Sequence, residues 1–428
     1  MIGLLEIIML IFSFILFAWA VYNFPAILIG VNQIRRKNAD EELWEDYTVE
    51  SLPFFSLIVP MKNEEKVAGR ILRSLMKIDY PSDRYEVIVV EDCSVDETWN
   101  VCKQFETKYP KRIRCFHRNF SKGKPSALNY GLKFARGEII GVFDADNLVK
   151  PDVLRRTAKY FENQEVAAVQ GLLSSINPEE NMVTKLIHYE TVLQYHALLS
   201  GKDKLGLFVH FSGTCLFIRR KVLVEVGGWR DEELSEDLEL SARLAEKGHF
   251  VKFASDIQSW IEVPSSFGQL LKQRVRWFRG CMEVALKYGK LLKRLNKRCL
   301  DAEMFFSGPF LMLMVLATYI LSLFNVFASI RLGTYTSGLL EFTSFVTLFG
   351  LFVLGIGLIY ASKPRKINNL MWLPLVYFYW AFLVFVAFYA FLLIVFRRPK
   401  RWVRTPRTGV VKNHQLMESL RQWEVKNP

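Results

Sequence analysis

Four apolar runs, at about residues 7–31, 305–330, 342–361 and 370–396, stand at the two ends of this chain. Each is close to the roughly 20 residues that a helix needs to cross the hydrocarbon of a bilayer. A backbone in lipid must satisfy its own hydrogen bonds, so these runs are committed to helix. The stretch between them, residues 54–298, reads instead like a water-soluble protein of mixed helix and strand. A hydrophobic content of 51% with 34 Phe is therefore an average over two compositions, and 428 residues leave room for one large soluble domain plus a membrane region.

The first run lacks a basic leading segment and a small-residue cleavage site and is longer than the apolar core of a signal peptide, so it reads as a retained helix. Arg35, Arg36 and Lys37 follow it, and the positive-inside rule then puts the next domain in the cytoplasm. The C-terminal flanks are in tension. Lys363, Arg365 and Lys366 mark the start of the last run as cytoplasmic, and Arg397, Arg398, Lys400, Arg401 and Arg404 mark its end likewise. Either one segment is interfacial or re-entrant, with Pro309 and Pro374 as candidate breaks, or one assignment by charge is wrong.

A formal charge of +13 admits nucleic acid, anionic lipid or a phosphorylated substrate as partner. Its position favours the last two. Between Leu271 and Arg298 stand ten Lys or Arg residues and one acid, Glu283, interleaved with apolar residues near a helical period. That pattern suits a helix lying on headgroups, although a solvated basic helix reads the same way. The six cysteines form no C-x-x-C pair and have no histidine at metal spacing, which excludes a zinc knuckle and gives no sign of a disulfide framework.

In the soluble stretch, β-rich runs at 54–60, 86–90, 113–117, 139–143 and 166–173 alternate with helical periodicity at 64–77, 97–108, 124–136 and 151–163. Such alternation implies a mainly parallel sheet with helices on both faces. Gly137 stands where a left-handed helix cap is expected. Ligands bind beyond the carboxyl ends of strands in these sheets, and Asn63-Glu64, Glu91-Asp92 and Asp144-Ala145-Asp146 all fall there.

Asp144 and Asp146 would project the same way from an extended chain, one able to hold a divalent cation while the other orients ribose or phosphate oxygens. The plain alternative is a strand end dressed with acids for solubility. Asp96 reads as an N-cap, whereas Asp92 is free to accept a hydrogen bond from the imide nitrogen of a uracil ring. Lys122-Gly123-Lys124 places two cations at a helix start, where the backbone donors also favour phosphate. Ser235-Glu236-Asp237 could be a helix cap or carry a catalytic acid.

Taken in order, these residues with Gln273-Arg274-Val275-Arg276-Trp277 resemble glycosyltransferase family 2. The likeness is to its membrane-embedded branch of cellulose, chitin, hyaluronan and poly-N-acetylglucosamine synthases, and it runs from about residue 54 to 277 and more loosely beyond. The resemblance implies a GT-A (Rossmann-like) fold and inverting transfer from a nucleotide sugar, usually a UDP-sugar, with Mg2+ or Mn2+. It implies that Asn63, Glu64 and Asp92 hold the nucleoside, that Lys124 and Asp144 serve the diphosphate side, and that Asp146 binds metal. Asp237 corresponds to the catalytic base, and Glu236 beside it to a residue that binds the acceptor. Gln273 and Arg276 attend the diphosphate, Trp277 stacks on the acceptor, and Ser212, Gly213 and Thr214 form the loop beside the acceptor terminus. Trp402, Thr405 and Arg407 resemble a W-x-x-T-x-R segment that covers the nucleotide in several relatives.

The expected division is a transmembrane helix (1–34), a cytosolic GT-A domain (50–267), Q-x-x-R-W and interfacial helices (268–302), a C-terminal membrane region (303–396) and a basic tail (397–428). The expected function is a multi-pass enzyme of the plasma membrane, its catalytic domain cytoplasmic. It would extend a polysaccharide processively, or move a single sugar to a lipid. A transporter or scaffold with a nucleotide-sensing domain is the remote alternative, disfavoured by the scarcity of intramembrane charge. Hyaluronan and cellulose synthases carry more membrane helices than are visible here, so the chain looks closer to the smaller bacterial and archaeal synthases.

Overall fold

The structure, a computed structural model, describes residues 4–40, 52–289, 296–327, 334–361, 367–400 and 406–409. It divides into two compact units that interleave along the chain. A helical unit comprises Met1–Glu41, Val192–Leu207 and Arg274–Pro399, and an α/β unit comprises Glu42–Thr191, Phe208–Gln273 and Lys400–Pro428. Residues 192–207, from the middle of the soluble stretch, thus group with the apolar ends.

The chain opens on α1 (Leu4–Asp40) and passes into β1 (Phe55–Met61), α2 (Glu65–Met76), β2 (Tyr85–Asp92), α3 (Thr98–Lys108), β3 (Ile113–Arg118), α4 (Lys124–Leu132) and β4 (Ile139–Val142). A short β5 (Leu148–Val149), α5 (Val153–Glu162), β6 (Val166–Ser175) and α6 (Met182–Val192) follow. A π-helical turn (Leu193–Leu199) then runs into α7 (Ser200–Lys204), and β7 (Leu216–Arg219), α8 (Arg220–Glu225), α9 (Glu236–Lys247) and β8 (Phe250–Ile261) complete the α/β part.

Among the described residues these strands make one eight-stranded sheet in the order β3-β2-β1-β4-β7-β6-β8-β5. β1 to β4 are parallel neighbours and β6 is parallel to β8, while β7 runs antiparallel between β4 and β6 and β5 runs antiparallel to β8. β1 and β2 are covered on both faces, which is why they read as unbroken apolar runs, with Leu57, Ile58, Val87 and Ile88 wholly buried. α2 supplies part of that cover, its buried Val67, Ala68, Ile71, Leu72 and Leu75 recurring at helical spacing.

Every strand and helix expected in residues 54–173 is present, with most ends shifted by one or two residues; β5, β7 and β8 lie outside those runs. β8 escaped notice because Lys252, Ser255, Asp256, Gln258 and Ser259 interrupt its apolar residues. Gly137 corrects an expectation. α4 stops at Leu132, and Gly137 is absent from the left-handed residues; a Cβ there would lie 2.4 Å from the Ser56 nitrogen. Close approach to β1, rather than a helix cap, is what requires glycine.

In the helical unit α1 meets the π-helical turn and α7 through small residues. A Cβ on Gly30 would fall 1.8 Å from the Ala197 carbonyl oxygen, and one on Gly201 would fall 1.7 Å from that of Ala26. The unit continues with the C-terminal part of α10 (Phe267–Tyr288), then α11 (Lys297–Phe306), α12 (Gly308–Phe327), α13 (Thr334–Ala361), a 3-10 turn (Ile367–Trp372) and α14 (Leu373–Val395). Among the described residues two helical stretches, Ile7–Gln33 and Ile367–Val395, are long and apolar enough to cross a membrane. Within the run at 305–330, α12 holds residues 308–327 and meets α11 at 48°, and the two would make a third span only as a bent pair. Pro309 stands just inside α12, where its missing N–H costs no helical bond, and Pro374 likewise opens α14.

Candidate active site

Strand ends and two helix starts bring the site together. Lys124 begins α4 after Gly123, whose φ of 94° only glycine adopts readily. The ammonium of Lys124 lies 2.7 Å from Asp144 Oδ1 and 3.5 Å from Glu236 Oε1, and it donates to the Gly213 carbonyl at 2.8 Å. A Cβ added to Gly213 would sit 3.3 Å from Lys124 Nζ and 3.4 Å from Asp237 Oδ2, so Asp237 faces the same spot. Thr214 joins through its hydroxyl, which accepts from the Asp144 N–H at 2.9 Å. Three carboxylates thus surround one mostly buried lysine. Burial disfavours the charge on Lys124, but Asp144, Glu236 and Asp237 outweigh it and hold its pKa above the ordinary lysine value. It stays a cation.

The Ser212 loop is held from both sides. The Ser212 N–H donates to Gln170 Oε1 on β6 at 2.9 Å, and the Phe211 N–H donates to Ser241 Oγ on α9 at 2.8 Å. Ser241 in turn donates to the Asp237 carbonyl at 2.7 Å, which ties the loop to the first turn of the helix bearing Asp237. Ser235 precedes that helix without a side-chain capping bond, so a capping duty does not explain the Ser-Glu-Asp sequence.

Asp144 and Asp146 keep different partners, although the Asp144 charge still acts on Asp146. The chain turns between them, with the Asn147 N–H returning to the Asp144 carbonyl at 3.1 Å. Asp146 Oδ2 instead accepts from the Glu262 N–H at 3.2 Å and pairs with the Arg407 guanidinium at 3.0 Å. Arg70 donates to the Asp146 carbonyl at 2.8 Å. Burial raises the Asp146 pKa against the opposing pull of Arg407. Among the described residues no three His, Cys, Asp or Glu side chains group as a metal cage. The two Asp carboxylates are nevertheless hard oxygen donors of the sort that holds Mg2+ or Mn2+ through one or two protein ligands and substrate phosphates. They fit the expected cation on that footing.

At the end of β2, Asp92 is 3% exposed, pairs with Arg118 at 3.0 Å and accepts from the Ser121 hydroxyl. Asn63, with φ 54°, stitches β1 to the loop after β2: its Oδ1 accepts from the Val95 N–H at 2.8 Å and its N–H donates to Ser94 Oγ at 2.9 Å. The Glu64 N–H donates to Thr98 Oγ1 at 2.7 Å. Asp96 does not occupy the cap position of α3, which is Glu97; it accepts from the N–H groups of Thr98 and Glu65, serving the starts of α3 and α2 together.

Gln273, Arg276 and Trp277 share α10, but the boundary between units falls after Gln273, so Arg276 and Trp277 belong to the helical unit. There Trp277 is partly exposed and stacks with the Arg274 guanidinium, 4.4 Å from its ring centre. Trp402 and Thr405 lie outside the described residues.

Four participants escaped the sequence reading: Arg70, Arg118, Gln170 and Glu262. Arg70 was detectable as a cation among the buried apolar positions of α2, and Glu262 as an acid just beyond β8 had that strand been recognised. Arg118 ends β3, and Gln170 carried no signal beyond being polar in an apolar strand.

Comparison with known proteins follows the same lines. Residues 53–280, just over half the chain, match the family described as Glycosyltransferase like family 2. A probable glycosyltransferase, YdaM of Bacillus subtilis (strain 168), is 30% identical over 377 residues, covering 85% of this chain and 89% of that protein. A beta-monoglucosyldiacylglycerol synthase of Trichormus variabilis is 34% identical over 248 residues; the match covers 56% of this chain and about half, 52%, of that relative. Among solved structures, the mannosyltransferase PcManGT from Pyrobaculum calidifontis in complex with GDP-Man and Mn2+ superposes with a TM-score of 0.60, covering 92% of this chain and all of that one. At 20% identity that likeness is one of fold.

Proposed function

This chain belongs to the Glycosyltransferase like family 2 and is a glycosyltransferase of the GT-A fold, and on that premise we propose that its α/β unit transfers a sugar from a nucleoside diphosphate, UDP in the first instance, by one inverting displacement. The observation that carries this reading is the gathering of Asp144, Glu236 and Asp237 on the cationic Lys124, beside the Gly213 turn and the carboxyl ends of the strands. An acceptor hydroxyl must lose a proton as it attacks the anomeric carbon, and the departing diphosphate must have its charge offset. Asp237 takes the proton. Lys124, at the N-terminus of α4, faces the diphosphate, and Asp92 reads the base. Asp146, with Asp144 alongside, would hold a divalent cation, whose positive charge would offset that growing on the leaving diphosphate.

The acceptor is a growing polysaccharide in the reading that rests on Gln273, Arg276 and Trp277 as a Q-x-x-R-W motif. A second reading, transfer of one sugar to a glycerolipid, is favoured by the 34% identity to a beta-monoglucosyldiacylglycerol synthase. In both, the helices of 1–34 and 303–396 anchor the enzyme in the plasma membrane and the catalytic domain faces the cytoplasm. Detergent-purified protein incubated with labelled nucleotide sugars and glycerolipid tests the transfer and its acceptor. Asp237→Asn is expected to lower kcat by about 10²- to 10⁴-fold, the usual range for a lost general base, while nucleotide affinity stays near wild type. Turnover by that variant at the wild-type rate would remove the proposed mechanism. A ladder of products supports the polymer, and a lone glycolipid ends it.

A further inference from the structure

The segment Arg407–Gly409 is far more firmly seated than a basic tail beside a membrane requires. Glu262, 3% exposed, receives it with every polar atom of its carboxylate. Oε1 accepts from the Thr408 N–H at 2.5 Å and the Thr408 hydroxyl at 2.9 Å, and Oε2 accepts from the Gly409 N–H at 3.2 Å. The Glu262 carbonyl accepts from Arg407, and Arg70 donates to the Gly409 carbonyl at 3.3 Å while lying 3.5 Å from Glu262 Oε2. A Cβ on Gly409 would fall 2.7 Å from the Lys66 carbonyl oxygen, so the backbone itself is pressed against α2. The consequence is where this seat aims Arg407. Its guanidinium lies 3.0 Å from Oδ2 of Asp146, the acid assigned above to the cation.

We propose that Arg407–Gly409 is a resident ligand of the Glu262–Arg70 seat, and that Arg407 is an internal counterion that competes with the divalent cation for Asp146. This rests on the reading of Asp146 as the metal acid. A buried carboxylate without a partner is costly, and Asp146 is 3% exposed. The Arg407 guanidinium is such a partner. A cation binding to Asp146 then has to displace Arg407 or share the carboxylate with it, so tail seating and metal binding oppose one another. Linkage makes the effect reciprocal: the seated tail weakens metal binding by the same factor by which the bound metal weakens the seat.

The test is Mn2+ binding to the full-length protein in detergent, followed by electron paramagnetic resonance with no nucleotide present. Arg407→Gln is expected to bind Mn2+ about fivefold or more tightly than wild type, the lower end of ordinary coupling between sites. Glu262→Gln, which weakens the seat and leaves Asp146 in place, is expected to shift affinity the same way. Hydrogen exchange gives the reverse arm: saturating Mn2+ should speed exchange of the Thr408 and Gly409 amides in the wild type. Affinity unchanged in Arg407→Gln overturns the competition. Asp146→Asn distinguishes that failure from failure of the metal reading, since lost Mn2+ binding in this variant keeps the metal at Asp146 and unchanged binding removes both ideas.

Discussion

Lys124 shows how one side chain can set the electrostatics of a site. With Asp144 and Glu236 within 2.7 and 3.5 Å of its ammonium, and Asp237 facing the same glycine, it is what lets three acids share a small volume. Lys124→Met keeps the stem and deletes the charge, so the acids are left repelling one another in a mostly buried place. Loss of a partner in such a group costs about 3 kcal/mol or more, and the variant should unfold earlier in denaturant and lose nucleotide affinity. His188 on α6 gives a prediction in pH. Burial first, then Lys185, lower its pKa from 6.5 to about 4, and its buried Nδ1 has no hydrogen-bond partner among the described residues. The unfolded chain therefore binds the extra proton first as pH falls from 6.5 toward 4, and stability drops across that window by about 3 kcal/mol. His188→Phe should flatten the fall in thermal midpoint between those two pH values.

Helices and strands place these side chains through contacts that tolerate little change. α1 approaches the π-helical turn and α7 closely because Ala26 and Gly30 on one side meet Ala197 and Gly201 on the other, each pair four residues apart and so on one helical face. The same crossing carries a buried ion pair, with Lys202 at 2.7 Å from Asp301 and the Tyr22 hydroxyl donating to Asp301 at 3.0 Å. Gly201→Leu would drive a side chain into the Ala26 carbonyl, where backbone cannot yield as a flexible side chain would. Overpacking typically costs about 1–3 kcal/mol, and the upper end or beyond is expected here, read as a lowered thermal midpoint in detergent. Catalysis at the α/β unit should survive in whatever fraction remains folded.

The two units differ in what surrounds them. Long apolar helices with exposed Leu10, Phe14, Phe378 and Phe385 belong to one, and an α/β sheet with its charged strand ends belongs to the other. Such a chain should stay with the membrane pellet through alkaline carbonate and enter solution with detergent. Transfer activity in detergent should vanish on adding EDTA and return with Mn2+ or Mg2+, as hard cations held by few protein ligands exchange readily.

Much of this was legible from order along the chain. The apolar runs, the strand and helix alternation of residues 54–173 and the acids at strand ends follow from local hydrophobic period and from the rule that parallel sheets bind ligands at their carboxyl ends. Those are short-range properties, and a sequence states them directly. The antiparallel β7 between β4 and β6, the 48° bend after α11 and the separate partners of Asp144 and Asp146 were not legible, because each depends on which distant segment packs alongside. Glu262 and Arg407 make the point most clearly. Nothing within 100 residues of Arg407 names its partner, and only folding brings the end of β8 and the tail onto one aspartate, where burial makes a charge partner necessary.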